Sequence, residues 1–303
     1  DRVDNDGDYT PHNCQWAPRT HQTRNQRSSL ANKLSRSDLM AIVELYQAGL
    51  STPEIAKRFG TSREYITGLA QGFRLSRDIP KSYGFKEIAL IPQKSNCRSR
   101  LDANTSSEVA RGLYLDIPFI AANMSTVCNA SFCSQLDKLG AMGILHRASS
   151  NEHLVYETTK LAKNSKIVAV SIGIGEDQFE LVRQLVEAGA NLITIDIANG
   201  YTDQVIILGR KIKNEYPVKL IVGNTTNVQM MYEVEDFADA VKVGIAQGLA
   251  CETKNTAAFT EGQFSAVLKF KDVSRSLGLP IISDGGIREP GDLVKAIAAG
   301  ANS

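Results

Sequence analysis

The chain is poor in cysteine, in tryptophan and in long apolar runs. Five cysteines among 303 residues, an odd number at irregular spacing, exclude a disulfide framework and point to a reducing compartment. No apolar run approaches the roughly 18–20 residues that span a bilayer. The polar start Asp1-Arg2-Val3-Asp4 is unlike a signal peptide, so a cytoplasmic location is expected. Nine prolines and 23 glycines without a period exclude a collagen-like chain. An excess of one charge is lacking too: 34 Lys+Arg stand against 33 Asp+Glu. What is present is the composition of a folded globular protein, 43% hydrophobic and 22% charged, with the length of one large domain or two unequal ones.

The near-neutral total conceals an asymmetry. Residues 9–77 hold 10 Lys+Arg against 4 Asp+Glu, whereas residues 81–303 hold 23 against 24. A polyanion would meet the front of the chain, not the rest.

Three compositions follow one another. Residues 1–33 are polar and hold the single tryptophan, Trp16. Residues 34–78 predict three short helices. Leu39, Ile42, Val43 and Tyr46 form the stripe of the first, which Gly49 stops. Thr52 is the expected cap of the second, with Pro53 at its first position, Ile55, Ala56 and Phe59 inward, and Gly60 at its end. Tyr65, Ile66 and Leu69 share a face of the third. This spacing predicts a helix-turn-helix, with Lys57, Arg58 and Arg63 as candidate contacts to duplex DNA.

From residue 79 onward short apolar runs alternate with helical stretches. The expected strands are 117–121, 142–145, 167–172, 192–195, 220–222, 240–243 and 281–283, with helices such as 179–188, 203–214, 262–277 and 291–299. Repeated β-then-α units predict an α/β fold with a parallel sheet, and seven of them favour a (β/α)8 TIM barrel that lacks its last strand. The chemistry of such barrels sits at the carboxyl ends of the strands. Those positions carry Asn123-Met124, His146-Arg147, Gly173-Ile174-Gly175, Asp196 to Tyr201, Gly223-Asn224, Gly244 to Thr253, and Asp284-Gly285-Gly286. Cys251, in a glycine-containing loop with Thr253 two positions on, is either a nucleophile or a small buried apolar residue; Cys128 and Cys133 fit the second role better. Asp284 before two glycines suits either a ribose-binding carboxylate with phosphate-binding amides or a plain turn.

These residues resemble the inosine-5′-monophosphate dehydrogenase / guanosine-5′-monophosphate reductase family. The shared pieces are Tyr83-Gly84-Phe85-Lys86-Glu87-Ile88, Cys97-Arg98-Ser99-Arg100, Ala121-Ala122-Asn123-Met124-Ser125, Asp196-Ile197-Ala198-Asn199-Gly200, Val222-Gly223-Asn224, Lys242-Val243-Gly244-Ile245 through Cys251, and Ser283-Asp284-Gly285-Gly286. The short path from Leu145 to Ile167 leaves no room for the regulatory modules usual in the dehydrogenase, and Asp196-Ile197-Ala198-Asn199-Gly200 is similar to reductases, so the resemblance favours a GMP reductase with an IMP dehydrogenase as the alternative. It implies NADPH, GMP and IMP as ligands, a homo-tetramer, a covalent adduct on Cys251 and a proton-handling Thr253. It also implies substrate contacts at Asn123, Met124, Asp284, Gly285 and Gly286, and cofactor contacts at Asp196, Ala198, Asn199, Gly200 and Tyr201. A potassium ion on backbone carbonyls of Gly244, Gly248 and Cys251 is implied as well. Two positions depart from the family's loop: Ala246 stands in place of a glycine and Leu249 in place of a serine.

The front end resembles the tail of a phage-type HNH homing endonuclease, through Asp1 to Tyr9, Asn13-Cys14-Gln15-Trp16-Ala17 and Arg24-Asn25-Gln26-Arg27. Arg2 stands where many relatives carry the general-base histidine, and an arginine cannot accept that proton, so residues 1–33 are expected to be a remnant. A DNA-binding, endonuclease-derived protein with an inactive barrel fragment is the rival expectation for the whole chain.

Overall fold

Period-two alternation in buried strands organises the larger part of the molecule. In the computed structural model, residues 82–248 and 260–303 are described, together with residues 38, 41, 42, 45, 46, 50–63 and 66. The chain divides into two units, Asp1–Lys81 and Ser82–Ser303.

In the first unit Ile42, Ile55, Ala56 and Ile66 form a small core with Leu45, Tyr46, Leu50 and Phe59 packed against it. Helix α1 spans Thr52–Arg58. Its cap is Ser51 rather than Thr52: the Glu54 carboxylate accepts from the Ser51 N–H at 3.0 Å and from its hydroxyl at 2.6 Å. A threonine followed by proline reads as a cap in the sequence, but a serine three residues before a glutamate makes the stronger reciprocal pair. Gly60 takes φ +60° just past the helix end, the left-handed turn that terminates it. Residues 1–33, with the endonuclease-like stretch, lie outside the described residues, as do Leu39, Val43, Gly49, Tyr65 and Leu69.

The second unit holds nine strands and seven helices among its described residues. A hairpin, β1 (Ser107–Ala110) and β2 (Leu113–Leu115), comes first and is antiparallel. Then follow β3 (Ile120–Ala121), α2 (Ala130–Lys138), β4 (Met142–Leu145), α3 (Asn151–Ala162), β5 (Ala169–Ile172) and α4 (Gln178–Glu187). Next are β6 (Leu192–Asp196), α5 (Asp203–Glu215), β7 (Lys219–Thr225), α6 (Gln229–Val234), β8 (Ala240–Val243), α7 (Gln263–Leu277), β9 (Ile281–Ser283) and α8 (Pro290–Ala299). Strands β3 to β9 form one seven-stranded sheet in sequence order, every neighbouring pair parallel. This is the α/β barrel architecture with seven strands in place.

Side-chain parity separates two cores. Ile144, Ala169, Leu192, Ile221, Ala240 and Ile282 face the barrel interior, where the hairpin residues Val109, Ala110 and Leu115 join them. Their neighbours Val170, Ile193, Leu220, Val241 and Ile281 face outward, packed with α4, α5 and α7 through Leu181, Val205 and Phe270. Strands buried on both faces read as continuous apolar runs, as parallel sheets require. Arg111, in the hairpin turn, donates to the carbonyls of Gly278, Leu277 and Ala238 at 3.0, 3.0 and 3.2 Å, fastening the hairpin to the return loops of the sheet.

Where an eighth strand closes a complete barrel, between β9 and β3, there is a cavity of about 240 Å³ lined by Phe119, Ala121, Ile282, Leu293, Ala296 and Ser303 among others. Asn302 and Ser303 already pair with β9: the Asn302 N–H donates to the Ile281 carbonyl at 2.8 Å, and the Ser303 carbonyl accepts from the Ser283 N–H at 2.7 Å.

Candidate active site

The polar centre of the barrel is one inward layer of side chains at the carboxyl ends of the strands. Parallel register sets Asp196 beside Gly223 and Gly223 beside Lys242. Glycine is required at that middle position, because a Cβ on Gly223 would lie 2.5 Å from the Lys242 Cβ. The lysine thereby finds room inside an otherwise apolar barrel, where its side chain is 5% exposed.

Lys242 Nζ donates to Asp196 Oδ1 at 2.7 Å and to Asn123 Oδ1 at 3.2 Å, and stands 3.3 Å from Asp284 Oδ2. Asn123 Nδ2 donates to Asp196 Oδ2 at 2.9 Å. Asn224 Nδ2 bridges the Gly244 carbonyl, at 2.8 Å, and Asp284 Oδ2, at 2.5 Å. Burial disfavours the charge on Lys242, but the carboxylates of Asp284 and Asp196 outweigh it and hold the ammonium above the usual lysine range. Burial likewise disfavours ionised Asp196. The Lys242 charge and the hydrogen bonds from Lys242 and Asn123 prevail, with Arg147 assisting, and its pKa falls below the ordinary aspartate value.

The sequence-predicted residues fall into three groups. Asn123, Asp196 and Asp284 meet around Lys242, with Gly285 following at φ +84° and Gly286 at φ +77°. Met124 is 47% exposed just after Asn123. Ala198 and Asn199 are exposed on the loop after β6, while Gly200 is buried and donates its N–H to the Asn224 carbonyl. A Cβ on Gly200 would come within 2.7 Å of the Gly223 carbonyl carbon, so the loop approaches β7 only with glycine there. Tyr201 turns its hydroxyl to Glu233, whose carboxylate accepts from it and raises the phenol pKa. Cys251 and Thr253 lie outside the described residues, as does Leu249.

The loop expected to hold a cation carries internal hydrogen bonds of its own. The Gly244 carbonyl, a proposed ligand, accepts from Asn224 Nδ2. The Gln247 side-chain amide donates to the Ile245 carbonyl at 3.1 Å, to Thr260 Oγ at 3.1 Å and to the Glu261 carbonyl, tying the loop to the segment before α7. Ala246 takes φ +62°, the one non-glycine residue with positive φ among those described.

Cys128 and Cys133 are both buried, Cys133 on α2 and Cys128 just before it. Asn224 is expected to follow its strand, yet β7 runs on through Gly223 and Asn224 to Thr225, with an irregular register there. Two further buried polar residues, Lys242 and Gln263, lie outside the strand-end positions. Gln263 is buried at the start of α7 and donates to the Val243 carbonyl at 2.7 Å and to Ser283 Oγ at 3.1 Å. The available signal for Lys242 was one lysine inside the apolar run Ala240–Val243, at the inward parity of Ala240.

Residues 82–303 match the family described as IMP dehydrogenase / GMP reductase domain. The chain belongs to this family. It is 34% identical over 223 residues to a GMP reductase of Streptococcus pneumoniae, covering 73% of this chain and 67% of that protein. It is 36% identical over 229 residues to a GMP reductase of Streptococcus pyogenes serotype M3, covering 74% and 68%. A crystal structure of GMP reductase from Trypanosoma brucei superposes with a TM-score of 0.73 at 22% identity, covering 76% of this chain and 81% of that one, and so shares the barrel fold.

Proposed function

We propose that the barrel is a GMP reductase: it converts GMP to IMP with release of ammonia, using NADPH. The observation that carries the reading is the Asp284-Gly285-Gly286 turn after β9, set beside Asn123, Asp196 and Lys242 in a chain of this family. The single helix α3 between β4 and β5, with no inserted module, favours the reductase over the dehydrogenase, as do the names of the relatives.

In this reading Asp284 accepts from the ribose hydroxyls and the Gly285 and Gly286 amides take the phosphate, with Asn123 and Met124 bordering the base. The Cys251 thiolate adds to C2 of the purine, and the exocyclic amine leaves as ammonia with a proton handled by Thr253. NADPH, when bound, supplies the hydride that C2 receives. The carbon–sulfur bond then breaks, the thiolate is regenerated and IMP leaves. The overall balance is GMP, NADPH and two protons to IMP, NADP⁺ and ammonium. Exposed Ala198 and Asn199, with Tyr201 beside them, fit the rim against which the cofactor would lie. Brief alkylation with iodoacetamide tests the nucleophile: GMP should slow modification of Cys251 and AMP should not. Equal rates with and without GMP contradict the assignment.

A second reading concerns the front unit alone. Lys57, Arg58 and Arg63 are exposed on the small helical core, which suits contact with a phosphate backbone. Duplex DNA should be retarded by the chain at low salt, less so at high salt, and less by Lys57→Ala/Arg63→Ala. No retardation at low salt removes this reading.

A further inference from the structure

The Lys242 ammonium is ringed by groups from three different strand ends, donating to two and paired by charge with the third. Asn123 follows β3, Asp196 ends β6 and Asp284 follows β9, at 3.2, 2.7 and 3.3 Å. The cation is thus held by two hydrogen bonds and a second carboxylate while its side chain is almost fully buried. A buried cation between two carboxylates could be structural only, and such pairs commonly add little to stability. The way the two carboxylates are used argues for more.

Asp196 spends both oxygens internally, Oδ1 on Lys242 and Oδ2 on Asn123. Asp284 does not. Among the described residues its side-chain contacts, Lys242 and Asn224, both fall on Oδ2. Its side chain is 30% exposed, against 5% for Lys242. The cluster therefore has a closed half, Lys242–Asp196–Asn123, and an outer carboxylate gripped by one oxygen with the other left to accept. One cation against two carboxylates leaves a net charge of about −1 on the cluster, with Asp284 the more exposed carboxylate.

We propose that Lys242 is a positioning residue that fixes Asp284 for a vicinal diol, and so makes the site select a ribonucleotide over its 2′-deoxy counterpart. This rests on the reading of Asp284 as the ribose-binding carboxylate. With Lys242 in place, Oδ2 is pinned and Oδ1 has one orientation, matched to a pair of neighbouring hydroxyl donors. Without it, Asp196 and Asp284 face each other with no cation between them, and the Asp284 carboxylate turns about its remaining contact to Asn224. A lysine that merely filled and stabilised the barrel would change stability and the affinity for both nucleotides together. A positioning lysine changes their ratio.

Calorimetric titration of the full chain with GMP and with 2′-deoxy-GMP reads that ratio directly. The unaltered chain should bind GMP on the order of tenfold or more tightly than the deoxy form, because the site's acceptor is otherwise left unpaired. Lys242→Met should bring the two affinities to within about twofold, as should Asp284→Ala, which removes the acceptor itself. Lys242→Gln keeps the interior filled and retains an amide donor if methionine prevents folding, and the same collapse of the ratio is expected from the lost charge. An unchanged ratio in either folded lysine variant overturns the proposal. Equal binding of both nucleotides by the unaltered chain overturns it as well, while leaving the nucleotide-binding reading intact. Binding of neither nucleotide defeats the proposed function itself.

Discussion

The Lys242 ammonium and the Asp196 carboxylate stand 2.7 Å apart inside the barrel, on strands separated in the sheet by β7. Glycine at position 223, on that middle strand, is what lets the two side chains meet across it. The pair makes the stability of the barrel depend on pH in a defined direction. Asp196 titrates below its ordinary value of 3.8, so its contribution is present above that value and is lost as the pH falls through the lowered one. Lys242 titrates above its ordinary value of 10.5, so its contribution is complete below that value and is lost as the pH rises through the raised one. Urea midpoints measured against pH should show a plateau between these limits. Asp196→Asn should lower the plateau by about 3 kcal/mol, since it leaves a buried cation short of one partner, and should flatten the acid limb. An acid limb as steep as before would show that other carboxylates set it.

The cysteines should separate by access. Cys97 is exposed, with its thiol donating to the Ser99 carbonyl at 3.0 Å. Cys128 and Cys133 are buried and share a hydrogen bond that raises the pKa of the Cys133 thiol, and burial raises it further. Cys128 and Cys133 should therefore be alkylated roughly a hundredfold more slowly than Cys97, because each needs local opening to react. Peptide mass spectrometry after a timed quench reads the order. Comparable rates would mean that the segment around α2 opens readily.

Ala246 carries a left-handed backbone that a glycine would adopt without a Cβ penalty. Ala246→Gly should leave the fold intact and raise stability slightly, by about 0.5 kcal/mol, the relief of strain being partly offset by greater freedom of the unfolded chain. Ala246→Val should lower stability by about 1–2 kcal/mol. Chemical denaturation of the three proteins checks both signs. A glycine variant less stable than the parent would mean that the methyl group makes a packing contact worth more than the strain.

Much of the barrel was legible because short apolar runs bounded by glycine, proline or a charge make buried parallel strands. Met142–Leu145, Ala240–Val243 and Ile281–Ser283 fall where the runs predict them. The strand predicted over 117–121 is only Ile120–Ala121, because Pro118 cannot donate to a ladder and Phe119 is 41% exposed. Strand β7 is longer than the run Leu220–Val222 because Gly223-Asn224, a turn signal in sequence, is enclosed between β6 and β8. The β1–β2 hairpin leaves little trace in the sequence, since three- and four-residue strands with one alternation give little periodicity. Asp196, Asn123 and Asp284 could be placed at strand ends from sequence. That they share one ammonium could not, because which side chains meet depends on strand register and on the room left by Gly223.

The direction of the redox reaction separates a GMP reductase from an IMP dehydrogenase. The chain is mixed with GMP and NADPH, then separately with IMP and NAD, while cofactor absorbance and ammonia are followed. A GMP reductase oxidises NADPH only with GMP present, releases one ammonia for each NADPH consumed, and forms no NADH from IMP. NADH formation from IMP, or NADPH oxidation that proceeds without GMP, contradicts that assignment.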